Sequence, residues 1–321
     1  MNDRRALIIG YGNPGRQDDG LGPAIANTVA SWALSNVTTD DPYQLNIEDA
    51  AALAEHELVV FVDASVDAPE PYASMYKPED MKPLPNIKFP YKYDDKQIDK
   101  AQWQRIKANY LGKITHIDDC VGRVVEALKK RGNWDNTLVI FISDHGEMMG
   151  SHGYMTKGRF YEESAGIPMW VRPPKGTQVA AKETDVPVNL VDVYATVVEM
   201  AGGEMTAQRF SNSLLPIVRG EKKYDPQQAT FSEIYHRQGL SHMVRKGDYK
   251  WFYQEGVERL YNLKKDPYEL NNLINDSAHA AKVREMKDTY HDWMMKTQIN
   301  YAEGYKPMAV RAREQAARGK K

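Results

Sequence analysis

Leu138-Val139-Ile140-Phe141-Ile142-Ser143-Asp144-His145-Gly146-Glu147 is the stretch on which the fold turns. Its first five residues form the most hydrophobic run in the chain and read as a buried strand. Polar residues follow at once, at the carboxyl end of that strand, where open α/β sheets place their ligands. An aspartate and a neutral imidazole can share a divalent ion. Lys157 comes soon after, among glycines at 146, 150, 153 and 158, and an ammonium in such a loop can hold an anionic oxygen. The plainer alternative is a polar turn with a solvated lysine, and the Asp-His-Gly tripeptide alone leaves both open.

Upstream, apolar residues at Ile106, Tyr110, Ile114, Ile117, Val121, Val124, Val125 and Leu128 predict a long amphipathic helix stopped by Gly132. Downstream, Met169-Trp170-Val171 reads as a strand, and residues 190–200 as a helix stopped by Gly202-Gly203. After residue 228 the texture changes to short strands at 230–235, 241–245, 250–253 and 259–263. Turns such as Gly247-Asp248 separate them, which predicts an antiparallel meander. A last helix is expected over roughly residues 278–295, before a basic tail from Lys306. Residues 69–95 hold six prolines and no periodicity, the pattern of a linker or a long surface loop.

The amino-terminal end reads separately. Leu7-Ile8-Ile9 is a short strand ended by Gly10, residues 20–33 and 47–55 are helical in pattern, and Leu58-Val59-Val60-Phe61-Val62 is a second apolar strand ending at Asp63. This β-α-α-β order is an α/β start. Gly10-Tyr11-Gly12-Asn13-Pro14-Gly15 formally matches a dinucleotide loop, but Gln17-Asp18-Asp19-Gly20 puts two carboxylates where a pyrophosphate would sit. Asp19 and Asp63 could instead face one crevice and bind a divalent metal, or Asp18 or Asp19 could simply cap the helix that follows.

Charge divides the chain at the same place. Residues 1–68 carry three Arg, no Lys and eleven acids, a net of −8, whereas residues 69–321 carry 39 basic and 33 acidic residues, a net of +6. This shift suggests two modules. The overall net charge of −2 offers no electrostatic case for nucleic acid or an anionic membrane. No apolar run reaches the ~18 residues of a membrane span, and the first apolar run is too short for a signal-peptide core, so a cytoplasmic chain is expected. The single Cys120 excludes an internal disulfide framework.

Two resemblances give these features meaning. Ile117-Asp118-Asp119-x-Val121-Gly122-Arg123, the run from Asp135 through Ser143-Asp144-His145-Gly146-Glu147, and Gly153-x3-Lys157-Gly158-x-Phe160-Tyr161-Glu162 occur in order. Val191-Asp192-x3-Thr196 and Leu260-Tyr261-Asn262-Leu263-x2-Asp266-Pro267-x-Glu269-x-Asn271-Asn272-Leu273 follow. Together they closely resemble the type I sulfatases of the alkaline-phosphatase-like superfamily, over about residues 70 to 298. The resemblance implies that Asp144 and His145 ligate a catalytic divalent ion, usually Ca2+ with Mn2+ in some relatives, and that Lys157 contacts the sulfate of a small-molecule or glycan sulfate ester. It implies packing roles for Asp118, Asp119 and Arg123. Sulfatases use a formylglycine made from a Cys/Ser-x-Pro/Ala-x-Arg motif, and these 321 residues hold none; Cys120 is followed by Val121-Gly122-Arg123 and reads as a packed thiol. The family's first strand with its paired metal-binding aspartates is also not found, so impaired or absent catalysis is expected.

Gly10-x-Gly12-Asn13-Pro14-x5-Asp19-Gly20-x-Gly22, with Gln44-Leu45, Glu48 and Val62-Asp63-Ala64-Ser65, resembles the first half of the hydrogenase-maturation endopeptidases. That resemblance implies that Asp19 and Asp63 are the acids that sense Ni2+ in an immature hydrogenase large subunit. The histidine that completes the family's site should follow on a later strand or loop, and after Asp63 the next histidine is His116. A chimera joined near residue 70 is therefore expected. It comprises a partial protease-like α/β piece at 1–68, a Pro-rich junction at 69–95 and a partial sulfatase catalytic domain at 96–227. A sulfatase carboxy-terminal subdomain with a small antiparallel sheet and basic tail fills 228–321. The predicted class is α/β, an incomplete alkaline-phosphatase-like sandwich, with the amino-terminal strands as a separate lobe.

Overall fold

The computed structural model describes residues 6–10, 37–40, 58–62, 69–180, 183–203, 211–221, 228–236 and 239–304. The chain divides into two compact units, residues 1–180 and 181–321.

The first unit begins with strands β1 (Ala6–Gly10), β2 (Val37–Asp40) and β3 (Leu58–Val62), which form a parallel sheet in the order β2-β1-β3. The helices expected at 20–33 and 47–55 lie outside the described residues. A short hairpin follows, β4 (Tyr91–Tyr93) with β5 (Lys96–Ile98). Helix α1 (Lys100–Lys130) starts earlier than its apolar stripe because Asp99 and Gln102 form a capping box, each side chain bonding the other's backbone N–H. It ends at Gly132, whose positive φ of 74° lets the chain turn back. Strand β6 (Val139–Ile142), the short helix α2 (Glu162–Ala165) and strand β7 (Met169–Arg172) complete the unit.

Three expectations change here. Leu138 is buried, but β6 itself is only half-buried and pairs antiparallel with β7 rather than within a parallel sheet. The amino-terminal strands do not stand apart as a lobe: β3 runs beside β6, in the same compact unit. The apolar stripe of α1 is fully buried at only one of its predicted positions, Leu128. Ile114 and Ile117 remain 47% and 38% exposed. The face that packs is centred instead on Trp103, Ala108 and Gly112, where the Tyr72 carbonyl lies 2.1 Å from where a Gly112 side chain would begin. That face meets the Pro-rich segment. Most of residues 69–95 are exposed, yet Ile87 and Tyr91 join Ile98, Trp103 and Met149 in one core.

The second unit contains α3 (Asp192–Met200), α4 (Leu215–Arg219), the meander β8 (Ala229–His236), β9 (Gly239–Lys246), β10 (Tyr249–Gln254) and β11 (Val257–Asn262), and α5 (Ala280–Gly304). The four strands are antiparallel in sequence order, as their turn spacing predicts. Val244, Trp251 and Leu260 on the sheet pack with Met286 and Tyr290 of α5. The spacing of Asp192 and Thr196 is structural. Asp192 accepts the amides of Asn189 and Asn212, each at 2.8 Å, while Thr196 Oγ1 donates to the Asp192 carbonyl and accepts the Leu214 amide.

Lys250 and Glu269 are buried together, Nζ to Oε1 2.7 Å, with side chains 0% and 1% exposed. Removing one charge strands the other in a low dielectric. Glu269→Ala should cost about 3–5 kcal/mol in denaturant unfolding, and the double change to Lys250→Met with Glu269→Leu should recover most of it. Equal stability of wild type and Glu269→Ala would refute this.

His242 of β9 stacks on Tyr290 at 4.2 Å, with Trp251 and Tyr253 close by, and its buried Nδ1 has no hydrogen-bond partner among the described residues. Burial lowers its pKa below the ordinary imidazole value, assisted by His291 and opposed by Glu233 and Glu258. Above the ordinary value both folded and unfolded imidazoles are neutral. Below it the unfolded chain takes the proton first, so stability falls with pH until the folded group titrates as well. A His242→Phe variant should show a smaller fall in Tm between neutral and mildly acid pH; an identical pH slope would contradict the assignment.

Candidate functional site

The site begins where β6 ends. Ser143 Oγ donates to the His145 carbonyl at 2.7 Å, and the His145 amide donates to Asp144 Oδ1 at 2.8 Å. These bonds fold Ser143-Asp144-His145 into a tight turn with the Asp144 carboxylate oriented by the chain itself. His145 Nδ1 lies 2.7 Å from the Gly146 carbonyl oxygen. A carbonyl only accepts, so this partner places a hydrogen on Nδ1, and in the neutral imidazole Nε2 carries the lone pair. That Nε2 stands 3.3 Å from Asp144 Oδ2, with the two side chains 34% and 24% exposed. With the imidazole neutral, two acceptors face each other at this distance, an arrangement that a cation between them relieves.

The pair therefore fits a divalent ion as two of its ligands, one carboxylate oxygen and one neutral imidazole nitrogen. Among the described residues no group of three or more His, Cys, Asp or Glu gathers to complete such a set. Asp19 and Asp63 lie outside the described residues.

Gly146 fixes the turn. Its amide donates to the Ser164 carbonyl at 2.8 Å, and a side chain on it would begin 2.0 Å from the Glu163 carbonyl oxygen. Beyond it the chain doubles back: Gly150 bonds Tyr154, Met148 bonds Thr156, and the Thr156 amide donates to Glu147 Oε1 at 2.5 Å. Half-buried Lys157 comes next in the same loop. The structure thus places Asp144, His145 and Lys157 on one loop system, the first two in direct contact.

The supports of this loop escape a reading of sequence pattern. Asn86 is buried, donates to Glu163 Oε1 at 2.5 Å, and its carbonyl accepts the His152 amide at 2.9 Å. His152 stacks on Tyr161 at 3.8 Å, and Trp103 Nε1 donates to the Met149 carbonyl at 2.7 Å. Ile87, beside Asn86, interrupts a polar, proline-rich stretch, and that apolar interruption is the available hint. Asp119 accepts from Tyr72 Oη at 2.6 Å, and Arg123 reaches the half-buried Cys120 sulfur at 3.0 Å, which makes these helix residues packing partners. A groove of about 1040 Å³ runs past Tyr72, His116 and Arg123 but includes none of Asp144, His145 or Lys157; the chemistry, not this hollow, locates the site. Among the described residues no helix is long and apolar enough to cross a membrane.

Residues 67–203 match the family model described as Sulfatase, and residues 150–296 match that of the N-sulphoglucosamine sulphohydrolase carboxy-terminal region. The chain belongs to the sulfatase family. An arylsulfatase from Clostridium perfringens is 32% identical over 257 residues, covering 74% of this chain and 51% of that protein. An N-acetylglucosamine-6-O-sulfatase from Bacteroides thetaiotaomicron is 30% identical over 195 residues, covering 58% and 35%. The fold is shared with a phosphonate monoester hydrolase from Silicibacter pomeroyi, with a TM-score of 0.66 and 21% identity over 89% of this chain and 61% of that one. The chain spans about half the length, or less, of these two curated relatives.

In this sulfatase segment Gly146 has no room for even one added carbon. Gly146→Ala should destabilise the first unit by about 2 kcal/mol, the scale of overpacking a filled site, in chemical denaturation. A wild-type midpoint would show that the segment at Glu163 yields without cost.

Proposed function

We propose that residues 67–296 bind a sulfate ester, a small molecule or a sulfated glycan, and that these 321 residues by themselves do not turn it over. The observation that carries the first half is the Asp144 Oδ2 to His145 Nε2 pair at 3.3 Å, with the imidazole oriented by Gly146. Asp144 and His145 would hold the divalent ion, Ca2+ first and Mn2+ second. When bound, that ion supplies positive charge to the sulfate oxygens. Asp144 contributes the anionic ligand and His145 the neutral one. Lys157 offers its ammonium to a remaining sulfate oxygen, which neutralises charge without a proton transfer. The names of the relatives, an arylsulfatase and an N-acetylglucosamine-6-O-sulfatase, support the substrate class.

The second half rests on the residues. No Cys/Ser-x-Pro/Ala-x-Arg run occurs in the sequence, and the thiol of Cys120 is engaged by Arg123 on α1. Without a covalent nucleophile most of the rate is lost while binding survives.

For residues 4–68 we propose a separate origin in a maturation protease; the parallel order β2-β1-β3 favours it as an α/β start. His116, the first histidine after Asp63, stacks on Tyr72 at 4.7 Å within the sulfatase segment. Nickel-dependent trimming of a hydrogenase large-subunit tail is therefore not expected from this chain, and observing it would revive that activity.

Calorimetric titration tests the main reading. Asp144→Ala and His145→Ala should each weaken Ca2+ binding by at least about tenfold, and Lys157→Ala should weaken inorganic sulfate by about tenfold with Ca2+ binding intact. Aryl sulfate turnover should stay at background throughout. Ca2+ binding that ignores Asp144→Ala would remove the metal assignment, and robust turnover would remove the second half.

A further inference from the structure

We propose that Glu147 is a positioning residue for the sulfate-binding loop: its carboxylate ties together the two left-handed bends that present Lys157. This rests on the reading of Lys157 as the sulfate contact.

The loop is conformationally expensive. Of the ten residues 149–158, six have positive φ, and three of those are not glycine: Met149 at 48°, His152 at 54° and Thr156 at 61°. L side chains rarely adopt such angles, and they persist only where neighbours enforce them. His152 is enforced by the Asn86 carbonyl and the Tyr161 ring. The other two share one partner. The amides of Met149 and Thr156 both donate to Glu147 Oε1, at 3.1 and 2.5 Å. Amide bonds to a carboxylate are the stronger kind.

The place of Glu147 in the chain gives this bond its consequence. Glu147 directly follows Gly146, whose amide is held by the Ser164 carbonyl and which lies too close to the Glu163 carbonyl for any side chain. Its oxygen therefore reaches from the end of the Asp144-His145 turn to the residue before Lys157. Lys157 in turn sits between two left-handed residues, Thr156 at 61° and Gly158 at 81°. Thr156 sets the direction in which the backbone enters Lys157. Two bonds hold it there, its amide on Glu147 Oε1 and its carbonyl under the Met148 amide. One carboxylate thus ties the bend that leads into Lys157 to the residue after the Asp144-His145-Gly146 turn.

Hydrogen–deuterium exchange of single amides, with and without Ca2+, tests the coupling on the whole chain. In Glu147→Ala the Met149 and Thr156 amides should exchange about tenfold faster than in wild type, as loss of one hydrogen bond implies. In Glu147→Gln, whose Oε1 still accepts, they should stay within about threefold. The Gly146 and Gly150 amides, bonded to Ser164 and Tyr154, should not change in either. Affinity for inorganic sulfate should fall about tenfold in Glu147→Ala only, with Ca2+ affinity unaltered. Wild-type exchange at Met149 and Thr156 in Glu147→Ala would overturn the proposal, as would Glu147→Gln behaving like Glu147→Ala. If Glu147→Ala loosens Gly146 too, the glutamine variant decides: near-wild-type rates support the strut and fast rates overturn it. Should wild type bind no sulfate, the sulfate-ester reading falls, while the exchange comparison still decides what Glu147 does.

Discussion

Gly146 stands between the end of β6 and the segment that closes over it, and the Glu163 carbonyl oxygen occupies the position its side chain would need. Three bonds of the site meet at this glycine. His145 Nδ1 donates to the Gly146 carbonyl, which turns Nε2 toward Asp144. The Gly146 amide is satisfied by Ser164, which anchors α2 to the turn. Glu147 comes next, and the bond it makes nine residues later holds the Lys157 loop. The proposed cation and anion sites thus both adjoin a position with no room for one more carbon atom.

The rest of the first unit supports this arrangement from the side. Trp103 of α1 places an indole N–H on the Met149 carbonyl, and Asn86 from the proline-rich segment bonds both Glu163 and His152. The core of Ile87, Tyr91, Ile98, Trp103 and Met149 is thus the floor of the loop as well as the packing of the helix. Burial pushes the Tyr91 phenol up to about 12, helped by the Glu147 charge, so it stays neutral at any working pH. The second unit has its own centre, an aromatic cluster around His242 and the enclosed Lys250–Glu269 pair, and needs nothing from the first to explain its sheet.

Much of this is legible in the residues, and the failures have causes. Short strands separated by tight turns foretell the four-stranded meander, and Gly132 marks the end of α1, because both signals are local. The Asp99-x-x-Gln102 capping box is equally local and moves the helix start to its true place. The burial of α1 is not local. Its stripe from Ile106 to Leu128 is amphipathic whatever covers it, and only tertiary contacts reveal that Gly112 meets Tyr72 while Ile114 and Ile117 stay open. The hydrophobicity of β6 foretells a buried strand for the same reason, since pattern reports what a strand could bury and not how many neighbours it has. Of the candidate site, Asp144, His145 and Lys157 are visible as a motif. Glu147 stands in the same motif, but its role, like those of Asn86 and Trp103, is not visible, because these roles are made by long-range contacts or by a loop whose left-handed residues no periodicity announces.

The most direct test is a crystal grown or soaked with Mn2+ and measured for anomalous scattering, because the proposed site puts a cation between Asp144 and the neutral His145 imidazole. The expected result is an anomalous peak bonded to both Asp144 Oδ2 and His145 Nε2, with His145 Nδ1 still on the Gly146 carbonyl. An Asp144–His145 pair that stays 3.3 Å apart with no peak between them at saturating Mn2+ would contradict the metal site and the sulfate reading built on it.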